Sequence, residues 1–219
     1  MTLRALLFDL DGTLVDSDPR HIEAFQRISE RHGVRFDTDF FVREMSGHSN
    51  PEICAKLFPT LSPEEHRRIA EEKEDLFRSL IRGGVPAIPG VVDLIARAGR
   101  DGLALGVVSN APAANVAASL AALGLEGRFS VEISGGMVAR GKPDPMPYRE
   151  ALVRLGIPAG DAVAFEDTPL GIRAAVGAGL PTVGIGTTQP PERLAAAGAS
   201  LVVRDFEDPA LAPFLAMRA

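Results

Sequence analysis

Phe8-Asp9-Leu10-Asp11-Gly12-Thr13-Leu14-Val15 is the stretch that decides how this chain is read. It sets two carboxylates two positions apart at the end of an apolar run, Leu3 to Phe8. Parallel strands covered on both faces show near-continuous apolar residues, so the run is expected to be a buried strand. Asp11-Gly12-Thr13 straight after it is a turn signal. A doubly wound sheet binds ligands outside the carboxyl ends of its strands, and this turn falls there. Because Asp11 lies in the turn, its side chain can be aimed beside Asp9. Two acids held that close repel each other unless a cation or a shared proton relieves them. The plainer alternative is a strand-ending Asp followed by a helix-capping Asp.

The rest of the 219 residues must supply what this pair needs. That length fits one large domain, or a core domain carrying an insertion. Hydrophobic content of 46%, charged content of 24% and a mean hydropathy of +0.10 match a soluble folded chain. No apolar run approaches the roughly 20 residues of a membrane span. The chain starts with a strand leading into acids, so the expected location is the cytoplasm. The net charge of −6 and the lack of a long basic run argue against nucleic acid as a partner. Cys54 is the one cysteine, which excludes an internal disulfide and a thiolate zinc site. Among 23 basic residues only Lys56, Lys73 and Lys142 are lysines, so each is worth attention.

Residues 16–85 and the remainder differ in character. Helices are expected near 18–30, 37–45, 50–58 and 62–82. The last opens with Ser62-Pro63-Glu64-Glu65, a capping box with proline at the first helical position. No strand pattern interrupts this segment, and it holds all four histidines. It is expected to be an all-helical insertion, with Gly83–Pro89 as the return hinge. From residue 90 onward, helical and strand patterns alternate, with strands at 103–108, 129–133, 162–165, 182–185 and 201–203. Such repeats imply a parallel sheet with helices on both faces. The expected architecture is a doubly wound, Rossmann-like α/β core from 1–15 and 86–219, with a helical cap from 16–85.

Three more strand ends carry polar groups. Leu103–Val108 runs into Ser109-Asn110, where a hydroxyl and backbone amides opening a helix can hold a phosphate oxygen, although Ser-Asn is also an everyday helix cap. Lys142, braced by Gly141 and Pro143, is the lysine outside the helical segment, and a fixed ammonium suits a phosphate or neighbouring carboxylates. Ala162–Phe165 ends in Glu166-Asp167, putting two further acids where the first pair sits. Carboxylates with one lysine make a hard oxygen site suited to Mg²⁺. A carboxylate is also a nucleophile towards phosphorus.

Asp9-Leu10-Asp11-Gly12-Thr13, Ser109, Lys142 and Glu166-Asp167 together resemble the four ordered motifs of the haloacid dehalogenase superfamily. The insertion after the first motif is similar to that of members with a helical cap of the first type. The resemblance implies Asp9 as nucleophile and Asp11 as general acid, then base for the attacking water. It implies Mg²⁺ held by Asp9, the Asp11 backbone carbonyl and Asp167, with Glu166 as an acid behind those ligands or one that reaches the ion through water. Ser109 and Lys142 would hold the phosphoryl group, with the Gly12 and Asn110 amides assisting.

A second acid at Asp11 favours phosphorus chemistry over carbon dehalogenation, since a departing alkoxide needs a proton. A sugar-phosphate mutase similar to β-phosphoglucomutase is the nearer rival. That family places an arginine after a cap glycine, where Ser46-Gly47-His48-Ser49-Asn50 here has neutral Asn50. The expected activity is therefore a phosphatase acting on a small phosphorylated metabolite of the sugar-phosphate or phosphoglycolate type. A non-catalytic phosphometabolite-binding module is the alternative of another class. Substrate contacts are expected from His21, Ser46, Gly47, His48, Asn50 and Lys73, although Lys73 in its Glu-Glu-Lys-Glu-Asp run also reads as a solvated helical face. The expected oligomeric state is a monomer or weak homodimer.

Overall fold

Apolar β-branched and aliphatic runs bounded by glycine, proline and polar turns form six strands: β1 (Ala5–Phe8), β2 (Ala104–Pro112), β3 (Val131–Gly135), β4 (Ala162–Glu166), β5 (Thr182–Ile185) and β6 (Leu201–Val203). The computed structural model describes residues 2–45 and 48–218. All strands pair in parallel in the order β3-β2-β1-β4-β5-β6, the doubly wound arrangement expected from the alternating pattern. Helices α5 (Val91–Arg100), α6 (Ala113–Ala122), α7 (Met146–Leu155), α8 (Pro169–Gly177), α9 (Pro191–Ala196) and α10 (Leu211–Ala216) make the crossovers and close the chain.

The sheet order itself assembles the site. β1 lies between β2 and β4, with Phe8 paired to Val107 on one side and Phe165 on the other. One residue further on, Asp9 therefore stands beside Glu166, and its N–H donates to the Phe165 carbonyl at 3.0 Å. The strand order reverses at this point, which opens the crevice where such sheets bind ligands.

Beneath the acids the sheet is fully apolar. Phe8 and Phe165 stack at 4.9 Å between centroids, and Phe206 and Phe129 close on them at 6.1 and 6.3 Å from Phe8. A second cluster, centred on Leu7, Val108, Ile133 and Tyr148, fills the opposite face.

Between β1 and α5 the chain forms α1 (Asp18–Arg31), α2 (Thr38–Glu44), α3 (Asn50–Leu57) and α4 (Pro63–Ile81), each within two residues of its expected range. Asp37 caps α2 and Ser62 caps α4 through side-chain oxygens that accept from Phe40 and Glu65 amides. Phe25, Ile28, Phe41, Met45, Ile53 and Ile69 give these helices an apolar core of their own. Ala24, Phe77 and Ile81 instead pack into the main core, so α1 and α4 are the helices that seat on the sheet domain. The two connecting segments lie side by side. Val15 bridges Ala87 antiparallel, Asp16 N–H donates to Pro86 O at 2.9 Å, and Ile88 N–H donates to Leu14 O at 3.0 Å.

One detail departs from expectation. β2 continues through Ser109 and Asn110 to Pro112, because β3 still pairs with it there, so α6 begins at Ala113 and Ser109 does not cap it. Ser17 precedes α1 without capping it, since its hydroxyl is turned to Asp11.

Truncating Phe165 to Ala should cost about 3–5 kcal/mol, as for large buried aromatics. Urea unfolding should show a midpoint lowered accordingly.

Candidate active site

Lys142 is the hinge-pin of the acidic cluster. It sits in the loop between β3 and α7, and the Asn110 side chain clamps its backbone from both sides: Lys142 N–H donates to Oδ1 at 2.9 Å and Nδ2 donates to Lys142 O at 3.2 Å. The ammonium so placed donates to Asp9 Oδ1 at 2.6 Å and reaches Glu166 Oε1 at 2.5 Å. Tyr148, fully buried on α7, donates to the same Glu166 oxygen at 2.6 Å. Glu166 Oε2 has no hydrogen-bond partner among the described residues. It faces Gly171 at the start of α8, where any Cβ would overlap the carboxylate.

Asp167 is held by hydroxyls. Thr188 Oγ1 donates to Oδ2 at 2.5 Å and Thr13 Oγ1 to Oδ1 at 3.3 Å. Thr187 Oγ1 donates to the Gly12 carbonyl at 2.5 Å, tying the turn after β5 to the first motif. Gly12 has φ +75°, and a side chain there would run into Asp167.

Oxygens of Asp9, Glu166 and Asp167 all lie within 4.8 Å of one another. Burial raises Asp9 despite Lys142. Burial followed by the Asp9 charge lifts Glu166 to about 7. Burial, Asp9 and Glu166 together lift Asp167 well above the carboxylate range. Burial alone would lower Lys142, but Asp9 and Glu166 outweigh it and raise its pKa. Three mutually repelling acids with one unpartnered oxygen form the hard donor set that a small divalent cation satisfies.

Asp11 points away from this cluster. Ser17 Oγ donates to Asp11 Oδ1 at 2.5 Å, and His21 Nε2 lies 3.2 Å from the same oxygen. Lys73 Nζ meets His21 Nδ1 at 2.8 Å. An ammonium can only donate, so Nδ1 accepts and Nε2 carries the proton directed at Asp11. Burial would raise the Asp11 carboxyl, but His21, Ser17 and Lys73 together hold it below its ordinary value. His21 stacks flat on Phe77 at 3.8 Å, which fixes the imidazole plane.

The sequence matches a family model described as haloacid dehalogenase-like hydrolase over residues 6–185. This chain belongs to that family. The hydrolase is 35% identical to protein CbbY of Cupriavidus necator, over 95% of this chain and 87% of that one. It is 33% identical to a validoxylamine A 7'-phosphate phosphatase of Streptomyces hygroscopicus, over 89% and 91%. Among solved structures, CbbY of Rhodobacter sphaeroides is 33% identical with a TM-score of 0.85, covering 94% of this chain and 95% of that one. It has been solved with phosphate and, as a variant, with xylulose-(1,5)bisphosphate.

In this hydrolase the core motifs and the helical segment line one cavity of about 120 Å³. Asp9, Asp11, Ser109, Asn110, Lys142 and Asp167 contribute from below. His21, His48, Asn50 and Lys73 contribute from above. Ser46 and Gly47 lie outside the described residues. The Gly12 amide is not free for a phosphoryl oxygen, because it donates to Val15 O at 2.8 Å to close the turn. The Asn110 side chain braces Lys142, leaving a backbone contact as its route to substrate. Lys73 is not a solvated residue of a charged helix face. It is 2% exposed, over the Phe25 ring at 4.5 Å, because α4 turns this side onto α1.

Ser17, Asp18, Glu74, Asn115, Tyr148, Thr187 and Thr188 also serve the site and escaped the sequence reading. The hydroxyls and amides carry no pattern of their own. Asp18 had a visible signal, an acid seven residues beyond Asp11 at the start of a helix, but it reads as a cap. It lines the cavity, and burial together with Asp11, Asp16 and Asp9 raises it to about 6, against the pull of His21. Its folded pKa lies above the ordinary 3.8, so ionising it costs the folded state increasingly from pH 4 to 6 and fully above that. Asp18→Asn should therefore stabilise the protein by about 1–2 kcal/mol at pH 7–8, after the lost helix-dipole contribution. Thermal melts should show that gain vanishing below about pH 4.

Proposed function

We propose that the protein is a Mg²⁺-dependent phosphatase hydrolysing a small phosphomonoester through an aspartyl-phosphate on Asp9. The observation that carries this reading is the joint placement of Asp9, Lys142 and Asp167 at one crevice, with Asp11 on the cavity wall beside them. Its likeness to a phosphatase and to a protein solved with phosphate supports it.

Asp9 attacks phosphorus, the bond to the substrate oxygen breaks, and Asp11 supplies that oxygen with a proton. Water then attacks the acyl phosphate while Asp11 takes its proton, which releases phosphate and restores Asp9. The contacts from Ser17 and His21 favour the ionised Asp11 that the second half-reaction needs. Lys142 and Ser109 steady the phosphoryl oxygens, and Lys142 also favours the ionised form of Asp9 against the effect of its burial. Asp9, Asp167 and the Asp11 backbone carbonyl would hold Mg²⁺, which supplies further neutralisation of charge on the phosphoryl group, with Glu166 behind them.

Residues 16–85 act as the lid in this reading, hinged where residues 15–16 and 86–88 pair, and they exclude bulk water during transfer. A mutase would need a cap cation for a second phosphate. Asn50 is neutral and engaged with Glu74 at 2.5 Å, which favours the phosphatase.

Release of p-nitrophenol from p-nitrophenyl phosphate should require Mg²⁺ and stop with EDTA. Asp9→Asn should lower kcat by at least about a thousandfold while circular dichroism stays native. Turnover in that variant near the native level would remove Asp9 as nucleophile, and metal-independent binding without turnover would favour a binding module.

A further inference from the structure

Glu74 is an acid that the reaction does not use, yet it faces the cavity above the phosphoryl site. Both its oxygens are fully engaged. Oε1 accepts from Lys73 Nζ at 3.0 Å and Asn50 Nδ2 at 2.5 Å, and Oε2 accepts from Asn115 Nδ2 at 2.5 Å. Arg78, outside the cavity, donates to Asn115 Oδ1 at 2.6 Å, which leaves the Asn115 amide nitrogen aimed at Glu74. Burial would raise the Glu74 carboxyl, but Lys73, His21 and Asn50 hold it below its usual value, so it is a carboxylate at neutral pH.

The consequence concerns the part of the substrate away from the reacting phosphate. Lys73 is the ammonium on that part of the wall, and Glu74 accepts from it, from Asn50 beside it and from Asn115 behind the wall. Lys142, the other lysine of the cavity, is tied to Asp9 and Glu166. The remaining charges on the wall are mostly acids, Asp9, Asp11, Asp18 and Asp167. A second phosphate or a carboxylate entering this space competes with a buried carboxylate for Lys73 and Asn50 and lies close to its charge, and both are costly. Hydroxyl groups meet no such barrier, because carboxylates accept hydrogen bonds from them. The cavity of about 120 Å³ is also small beside the roughly 300–1,000 Å³ of sites for larger ligands.

We propose that Glu74 is a specificity-determining residue that restricts the site to phosphomonoesters with a small, uncharged, hydroxylated remainder and rejects bisphosphates and phosphorylated carboxylic acids. This rests on the phosphatase reading and narrows it to sugar or polyol monophosphates, away from phosphoglycolate. Specificity of this kind works by repulsion of the wrong substrate, with no new attraction for the right one.

The test compares kcat/KM for two matched pairs: 2-hydroxyethyl phosphate with 2-phosphoglycolate, and xylulose 5-phosphate with xylulose 1,5-bisphosphate. The wild-type enzyme should prefer the uncharged remainder in each pair by about tenfold or more. Glu74→Gln, which keeps the shape and removes the charge, should shrink that preference severalfold, chiefly through KM of the charged substrate. A purely structural role would lower both members of a pair alike and leave the ratio intact. Should Glu74→Gln fail to fold, Glu74→Ser serves as the second charge-free variant. Wild-type turnover of the charged member as efficient as that of its partner overturns the proposal with no variant needed. An unchanged ratio in a folded charge-free variant overturns the assignment to Glu74. Absence of phosphate release from every phosphomonoester, p-nitrophenyl phosphate included, overturns the phosphatase reading and this inference with it.

Discussion

Buried negative charge at the ends of β1 and β4 is the constraint on which the rest of the molecule depends. Asp9, Glu166 and Asp167 bring three carboxylates within 4.8 Å of one another, and desolvating each costs several kcal/mol. Lys142 offsets part of that cost, Tyr148 and the threonines supply hydrogen bonds, and Glu166 Oε2 is left without one. Such a cluster is no source of stability. The stacked Phe8 and Phe165 directly below, with the apolar faces on either side, hold the strand ends in place against the repulsion.

Charge is also divided by role within the site. Asp9, Asp167 and Glu166 share one environment, while Asp11, two residues from Asp9, belongs to another. The turn at Gly12 swings Asp11 towards α1, where Ser17 and His21 meet it and Lys73 backs the imidazole. Two neighbouring carboxyls are thereby pushed in opposite directions, Asp9 up by burial and Asp11 down by its hydrogen-bonding partners.

The core was largely legible in the chain because parallel strands announce themselves as apolar runs, and Asp9 and Asp167 each sit one residue past such a strand. Asp9, Ser109, Lys142 and Asp167 are legible as one set because together they resemble the four ordered motifs of the family. Phe8 pairs with both Val107 and Phe165, which leaves their successors no alternative but to be neighbours. The helical segment was legible as helices but not as a surface. Lys73 shows why: five charged residues in a row look solvated, and only the docking of α4 on α1 and α6 decides which of them turns inward. Glu74 and Asn115 lie 41 residues apart and meet through that docking alone. The Gly12 amide failed for a local reason, because closing the turn on Val15 consumes the donor.

Residues 16–85 join the sheet covalently through a two-stranded ribbon, Leu14 to Asp16 against Pro86 to Ile88. Entry and exit at one place make the helical lobe an interchangeable module. A different lobe grafted on the same ribbon would meet the same pairing of β1, β2 and β4, which takes nothing from residues 16–85, while Asp11 would exchange Ser17 and His21 for new partners. Evolution of new substrate preferences in such a scaffold can therefore proceed by rewriting the roof while the floor stays as it is.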